Sequence, residues 1–235
     1  MTGGPMDGMD DLDLSIDGDF EDEVNAGFDL NLDDDGLTQK PLSKSIKTKD
    51  RQVFKRLTSE RQLEELLEWE FEPDTAYHVI SGGDIDALSF LKYILRQQSL
   101  EYVAFSTWCM AECDILEIMR YLQLGRITRI DGYVGEIFKG TYYKEYEMLL
   151  SLHKTYGGRT AIFRNHAKIF IGFGKKFDFV IETSANINTN PRSENTVITT
   201  NTALALFYKD FYDGVRSFER DFDDWKPYKL SREQA

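Results

Sequence analysis

From about residue 57 onwards, hydrophobic positions along this chain alternate between helical and strand spacing. In "SERQLEELLEWEF", Leu63, Leu66, Leu67 and Trp69 recur at roughly helical intervals behind a Ser59-x-x-Gln62 capping box, which predicts a helix opening at Ser59. "AYHVIS" follows as a short apolar strand, and "GGDIDALSFLKYILRQQ" as a helix entered through glycines. "EYVAFSTW" reads as a buried strand and "ECDILEIMRYLQLG" as a helix closed by Gly125 in the C′ position. "ITRIDGYV" reads as another strand, and "TYYKEYEMLLSLHKTYGG" as a helix ended by glycines. Two further strands, 160–172 and 177–183, are joined by a turn holding glycine and lysine, and "NTALALFYKDFYDGVRSFERDF" finishes as a helix. Strands alternating with helices predict an α/β fold, with a parallel or mixed sheet covered on both faces. No internal repeat interrupts this order, so residues 57–235 read as one domain.

The segments before residue 57 change the picture through charge. Residues 1–39 hold 13 Asp or Glu and no Lys or Arg, so they carry the whole net charge of -13 and leave a neutral body. Such a composition predicts a disordered tail, because like charges repel and little apolar surface can be buried. Phe20, Phe28, Leu30 and Leu32 among the acids fit a motif for a protein partner; a solvated tail, or one that occupies the protein's own basic groove, fits as well. Residues 40–56 reverse the sign with seven Lys or Arg against Asp50 alone, and read as a basic linker. A neutral body neither requires nor forbids a polyanionic partner, since a local basic groove suffices. No basic n-region opens the chain and no run approaches a membrane span, which with two packed thiols, Cys109 and Cys113, predicts a cytoplasmic protein with no membrane partner.

The candidate chemistry lies in "RNHAKIFIGFGKKFDFVIETSANINTNPRSEN", Arg164 to Asn195. If this opening is a strand, residues two apart share a face, so His166 and Lys168 project together and Ala167, Ile169 and Ile171 face the core. A polar pair at the start of an otherwise apolar strand belongs at a sheet edge or strand end, where α/β sites gather. The residue types suit phosphate. A neutral imidazole can attack phosphorus, and an ammonium beside it can hold the non-bridging oxygens. Ser184 and Asn186 can donate to those oxygens without adding charge. Glu194 can accept the other imidazole N–H and fix its tautomer, and Arg164 can add a phosphate contact.

The ordered set His166-Ala-Lys168, an apolar hairpin, Thr183-Ser184-Ala185-Asn186, then Ser193-Glu194-Asn195 resembles the phospholipase D superfamily, most of all its small bacterial endonucleases with one motif per chain. The strand, helix and strand upstream also fall where that family has them, so the likeness spans roughly residues 76–215. The resemblance implies a phospholipase D-like mixed sheet flanked by helices, and a two-step, metal-independent phosphodiester transfer with no cofactor. His166 would be the nucleophile, and the same residue of a second subunit the general acid. A single H-x-K per chain therefore implies a two-fold homodimer. Lys168, Ser184 and Asn186 would bind phosphate, and Glu194 would orient a histidine.

Three departures stand out. Phe173 occupies the position where the family has Asp, and Asp178 on the next strand would replace it only through an unusual hairpin. Thr183 stands where the family has Gly, and the His-to-Asn interval is longer. Elsewhere, "SGGDID" reads as a tight turn with Asp84 as N-cap, not as a phosphate loop. Ser106 and Thr107 border the site or serve the core. Tyr142, Tyr143 and Tyr146 stack on bases or pack on their helix, and His78 and His153 read as ordinary structural or surface histidines. The leading expectation is a dimeric nuclease-type phosphodiesterase acting on nucleic acid. The alternative is a catalytically inactive scaffold of the same fold that binds nucleic acid or protein, with the acidic tail recruiting or masking a partner. Hydrolysis of a phospholipid or another small phosphodiester is a third reading.

Overall fold

In the computed structural model, residues 51–67, 70–187 and 192–233 are described, with side chains from Ser59 onwards. All fall in one compact unit, Ile46–Ala235. The acidic stretch 1–39 and residues 40–50 of the basic segment lie outside the described residues.

The elements in order are α1 (Arg51–Leu66), β1 (Ala76–Ser81), α2 (Ala87–Gln97), β2 (Leu100–Thr107), α3 (Glu112–Gln123), β3 (Ile127–Gly135), α4 (Phe138–Thr141), α5 (Tyr143–Tyr156), β4 (Thr160–Phe163), β5 (Ile169–Gly174), β6 (Phe179–Thr183), β7 (Glu194–Thr199) and α6 (Thr202–Asp213), with a short 3-10 turn at Ser231–Glu233. They build the expected α/β architecture around one seven-stranded sheet of order β1-β7-β6-β5-β2-β3-β4. The sheet is mixed. β2, β3 and β4 run parallel, and β5, β6, β7 and β1 alternate antiparallel from β2 outwards.

Both faces are covered, and strand alternation divides the core accordingly. Val103 and Phe105 of β2 join Leu63, Leu91, Ile94, Ile118 and Leu149 from α1, α2, α3 and α5. Tyr102 and Ala104 point the other way, to Tyr133, Ile171, Phe173, Ala205 and Tyr212 under α6 and the C-terminal segment. Each large apolar side chain so buried contributes roughly 1.5–3 kcal/mol. The C-terminal segment also covers the sheet edge: Phe218 N–H donates to Ile162 O at 2.7 Å, and Ile162 N–H to Ser217 Oγ at 3.0 Å.

Five sequence expectations require correction. First, α1 starts at Arg51, so Ser59 is not an N-cap. Its buried hydroxyl instead meets Ser89 Oγ at 2.8 Å and accepts from Asp86 N–H at 3.1 Å, tying α1 to the start of α2. Second, the N-cap of α2 is Asp86, not Asp84; Asp86 Oδ1 accepts from Ser89 N–H at 2.8 Å. Third, residues 160–172 are not one strand: β4 ends at Phe163 and β5 begins at Ile169. Fourth, the last helix stops at Asp213, capped by Gly214, and the chain continues without helix over the second face of the sheet. Fifth, Glu194–Thr199 is a strand, inserted between β6 and β1. By contrast α3 ends as its sequence requires, with Gly125 at φ 65°, a left-handed conformation that side-chain-bearing residues rarely adopt.

Candidate active site

Strand direction collects the candidate residues at one end of the sheet. β1, β2, β3, β4 and β6 finish there, and β5 and β7 begin there, as the pairs Ser106↔Ile169, Ile169↔Glu182, Thr183↔Thr196 and Ser81↔Glu194 require. The segment 164–168 leaves β4 at the sheet edge and enters β5 beyond the ends of β3 and β2. Three strand spacings are about 14 Å. The six Cα steps from Phe163 to Ile169 reach at most about 20 Å, so the crossing has little slack.

Asn165 fastens this crossing to both strands that it passes. Its buried side-chain amide donates to Ser106 Oγ at 2.8 Å and to Tyr133 O at 3.4 Å, and its Oδ1 accepts from Ala167 N–H at 3.0 Å. Ser106 Oγ donates to Ala167 O at 3.0 Å, and its hydroxyl also meets the Tyr212 phenol. Burial pushes that phenol up to about 12. Ala167 is exposed, not in the core as strand alternation implied, because no strand runs through it.

His166 is exposed, and its imidazole packs against Trp108 with ring centroids 5.2 Å apart. Lys168 folds back to it. The ammonium donates to His166 O at 2.9 Å and lies 3.3 Å from Nδ1 and 3.4 Å from Nε2. Burial pushes the Lys168 ammonium down from the usual lysine range, while Cys109 and Glu194 oppose that shift. Backbone pairing then joins this segment to the next, Thr183 N–H donating to Lys168 O at 3.1 Å.

On the adjoining strands, Ser184 Oγ donates to Glu194 Oε2 and accepts from Asn195 N–H at 3.1 Å. Thr183 uses its hydroxyl where glycine would have none. Its Oγ1 donates to Asn195 O at 3.2 Å, meets Thr196 Oγ1 at 2.8 Å and accepts from Ala185 N–H at 3.0 Å. Asn186 lies deeper, where its carbonyl accepts from Ala87 N–H of α2 at 3.3 Å. Its buried Oδ1 has no hydrogen-bond partner among the described residues. Next to it, Ile187 N–H donates to Thr107 Oγ1 at 3.4 Å, which draws this loop over the end of β2.

The structure therefore pairs His166 with Lys168 and Ser184 with Glu194, and places the Glu194 carboxylate where its charge acts on Lys168. Arg164 and Asn186 share no hydrogen bond or ion pair with these four among the described residues. Arg164 stands exposed in the bend after β4, so the same-strand argument for it does not apply. Arg192, also exposed, precedes the β7 residue Glu194.

Phe173 and Asp178 belong elsewhere. Phe173 is buried at the far half of β5, stacked on Tyr102 at 6.1 Å. Asp178 Oδ2 and Oδ1 accept from Arg232 at 2.8 and 2.9 Å, and Thr202 Oγ1 donates to Oδ2 at 2.7 Å. β5 separates that group from His166 by roughly 20 Å. Asp178 thus does not stand in for the missing motif residue. Tyr146 is buried, and Tyr142 stacks on Phe138 at 5.4 Å, so these two serve helix packing, while Tyr143 is exposed. Trp108 and Asn165 were not found from sequence; the contacts that reveal them run between β2, β3 and the crossing.

No family model matches the chain, and no curated protein matches it. Among solved structures it is similar to TrmBL2, an archaeal chromatin protein with a novel mode of DNA binding, at 8% identity over 65% of this chain and 55% of that one, with a TM-score of 0.42. Phosphatidylserine synthase from Haemophilus influenzae is 11% identical over 58% of this chain and 37% of its own, TM-score 0.42. NucT from Helicobacter pylori is 16% identical over 59% of this chain and 94% of its own, TM-score 0.41. The chain spans only about half of TrmBL2 and about a third of the synthase. Likeness this distant carries no function across, so chemistry has to be read from the side chains.

Proposed function

We propose that the chain is a phospholipase D-like, metal-independent phosphodiesterase of nuclease type, working through a phosphohistidine on His166 at a homodimeric site. The observation that carries this reading is the Lys168 ammonium 3.3 and 3.4 Å from the two ring nitrogens of an exposed imidazole. That ammonium offers the non-bridging oxygens of an arriving phosphate a counter-charge directly beside the imidazole that would attack.

In the first step an imidazole nitrogen of His166 attacks phosphorus. A P–N bond forms, the P–O bond to the leaving group breaks, and the departing oxygen takes a proton from the imidazolium of a second copy of His166. In the second step that second imidazole removes a proton from water. The hydroxide attacks phosphorus, and the P–N bond breaks. Lys168 holds the non-bridging oxygens throughout, Ser184 joins it by turning its single hydroxyl proton from Glu194 to the phosphate, and Asn186 turns its amide to them. Glu194 fixes the Ser184 hydroxyl and, across the two-fold, orients a histidine. The requirement for two histidines is what calls for the second copy. Exposed Arg164 and Arg192 at the same end of the sheet suit a substrate with phosphates beyond the scissile one, and so favour nucleic acid.

A second reading, a non-catalytic scaffold that binds nucleic acid or protein, draws on Phe173 locked in the core where the family has Asp. The two diverge in one experiment, cleavage of single- and double-stranded DNA in EDTA by wild type and His166→Ala. The enzyme cleaves in EDTA, loses that activity in His166→Ala and yields a trappable phosphohistidine. The scaffold binds equally in both forms and turns nothing over.

A further inference from the structure

We infer that Trp108 is a positioning residue, whose indole sets the direction in which the His166 imidazole points; the inference rests on the proposed role of His166. The crossing that carries His166 is fixed through its backbone and through Asn165, but the His166 side chain leaves it towards solvent. Among the described residues two groups meet the ring, Lys168 and Trp108. Lys168 is a long side chain needed for phosphate, and an arriving phosphate draws its ammonium away. Trp108 is the rigid wall. It is half-buried just after β2, tilted 58° to the imidazole.

The wall itself has no room to retreat. A Cβ built on Gly135 at the end of β3 would lie 2.8 Å from Trp108 Cε3, 2.9 Å from Cζ3 and 3.0 Å from Asn165 O. Glycine at 135 therefore lets the indole lie directly against the β3 backbone, beside the residue that fastens the crossing. The Cε3–Cζ3 edge of the indole thus rests on main chain while the ring meets the imidazole, so the imidazole packs on a side chain whose own position is held by backbone. Nucleophilic attack needs the ring nitrogen within a narrow cone behind the leaving oxygen, and small misplacement is costly.

The test combines kinetics with a signal that does not depend on turnover. Trp108→Ala lowers kcat roughly 10- to 100-fold with little change in KM, since it misaligns attack without removing a phosphate contact. Trp108→Phe, which keeps a flat wall, recovers most of the loss. Separately, a protonated imidazole quenches indole emission at contact distance. Wild-type emission therefore falls on acidification, and that component disappears in both Trp108→Phe and His166→Ala. Unaltered kcat in Trp108→Ala overturns the inference, as does a loss that Trp108→Phe does not repair and that follows a fall in thermal stability. An acid-dependent emission component that is lost in Trp108→Phe but survives in His166→Ala overturns it too; a component from Trp225, which donates to the Asp131 carboxylate, persists in both variants and is subtracted. Should the wild type cleave nothing, the proposed function fails, and the emission measurement alone still decides whether the indole holds the ring.

Discussion

The carboxylate of Asp131 is met by donors from three separate parts of the chain, whereas that of half-buried Glu194 has one hydroxyl partner among the described residues. Behind the sheet, Tyr102 Oη donates to Asp131 Oδ2 at 2.8 Å, and Arg159 N–H and Trp225 Nε1 donate to Oδ1 at 2.9 and 3.3 Å. Arg129 Nε lies 3.7 Å from Oδ1. Arg159 in turn spans Val215 O, Tyr212 O and the Tyr133 hydroxyl, with its guanidinium 3.5 Å from the Trp225 ring centre. Burial pushes the Asp131 carboxyl up, while Arg129, Tyr102, Trp225 and Arg159 hold it down. At the sheet end, by contrast, His166, Lys168 and Ser184 keep hydrogen-bonding capacity facing solvent. Polar groups that bond mostly within the chain hold the C-terminal segment to the sheet, although Arg129 Nε and Arg159 Nε have no hydrogen bond among the described residues. Polar groups left open at the sheet end can take a ligand.

Removing one charge from each cluster without changing shape tests that division most severely. Asp131→Asn keeps an acceptor for Arg159 N–H and Trp225 and turns its amide N–H to the Tyr102 hydroxyl. It leaves the Arg129 and Arg159 guanidinium charges without their buried counter-charge, and costs about 3 kcal/mol of stability, at the low end of the range for breaking a buried pair. Glu194→Gln still accepts from Ser184, and changes stability by less than about 0.5 kcal/mol. Urea unfolding of both variants measures the contrast. Equal losses would mean that the front cluster is also part of the scaffold.

Phe173→Asp sharpens the comparison by placing an acid among the buried side chains of the second face, at the position where the resemblance leads one to expect Asp. It forfeits the ring's stacking on Tyr102, and the Arg232 guanidinium 5.2 Å from the ring centre offsets part of the loss. The expected cost is about 3 kcal/mol. Cleavage does not increase, because Asp178 already occupies Arg232 and the site lies at the other end of β5. A variant that gains activity would show that Phe173 limits the proposed reaction.

What the sequence disclosed follows the range of the forces involved. β1, β2, α3, β3 and α5 were legible because apolar spacing and glycine stops act within a few residues of one another. The true start of α1 was not. Residues 51–58 are too polar to show an apolar stripe, and the bonds that occupy Ser59 come from α2, about thirty residues away. The break at 164–168 rests on Asn165 reaching Ser106 and Tyr133, partners far along the chain, so an unbroken strand was the reasonable local reading. β7 was hidden because its polar "ENT" opening drew attention as a motif and not as the start of a strand. The candidate site was legible in its residue types, which the resemblance ordered. The wall beside His166 was not, since it depends on a glycine in one strand and a tryptophan after another.

The last effect tests whether the buried side of the comparison responds to acid. His153 on α5 is buried, with Nδ1 3.0 Å from Thr160 Oγ1 and its ring edge-on to Phe222. Burial, with Arg129 nearby, holds its imidazole down to about 3, against roughly 6.5 in an unfolded chain. Between those values the unfolded chain binds a proton that the folded one refuses. The stability that His153 contributes is therefore complete above about pH 6.5 and is lost progressively as pH falls towards 3. At pH 4.5 the loss is about 2–3 kcal/mol. His153→Leu has no proton to bind in either state, so its urea midpoint falls less between pH 7 and pH 4.5 than that of the wild type. Other acid-sensitive groups, Asp131 among them, act equally in both proteins and cancel from the difference. If the two midpoints shift in parallel, His153 contributes nothing to the acid response of the buried side.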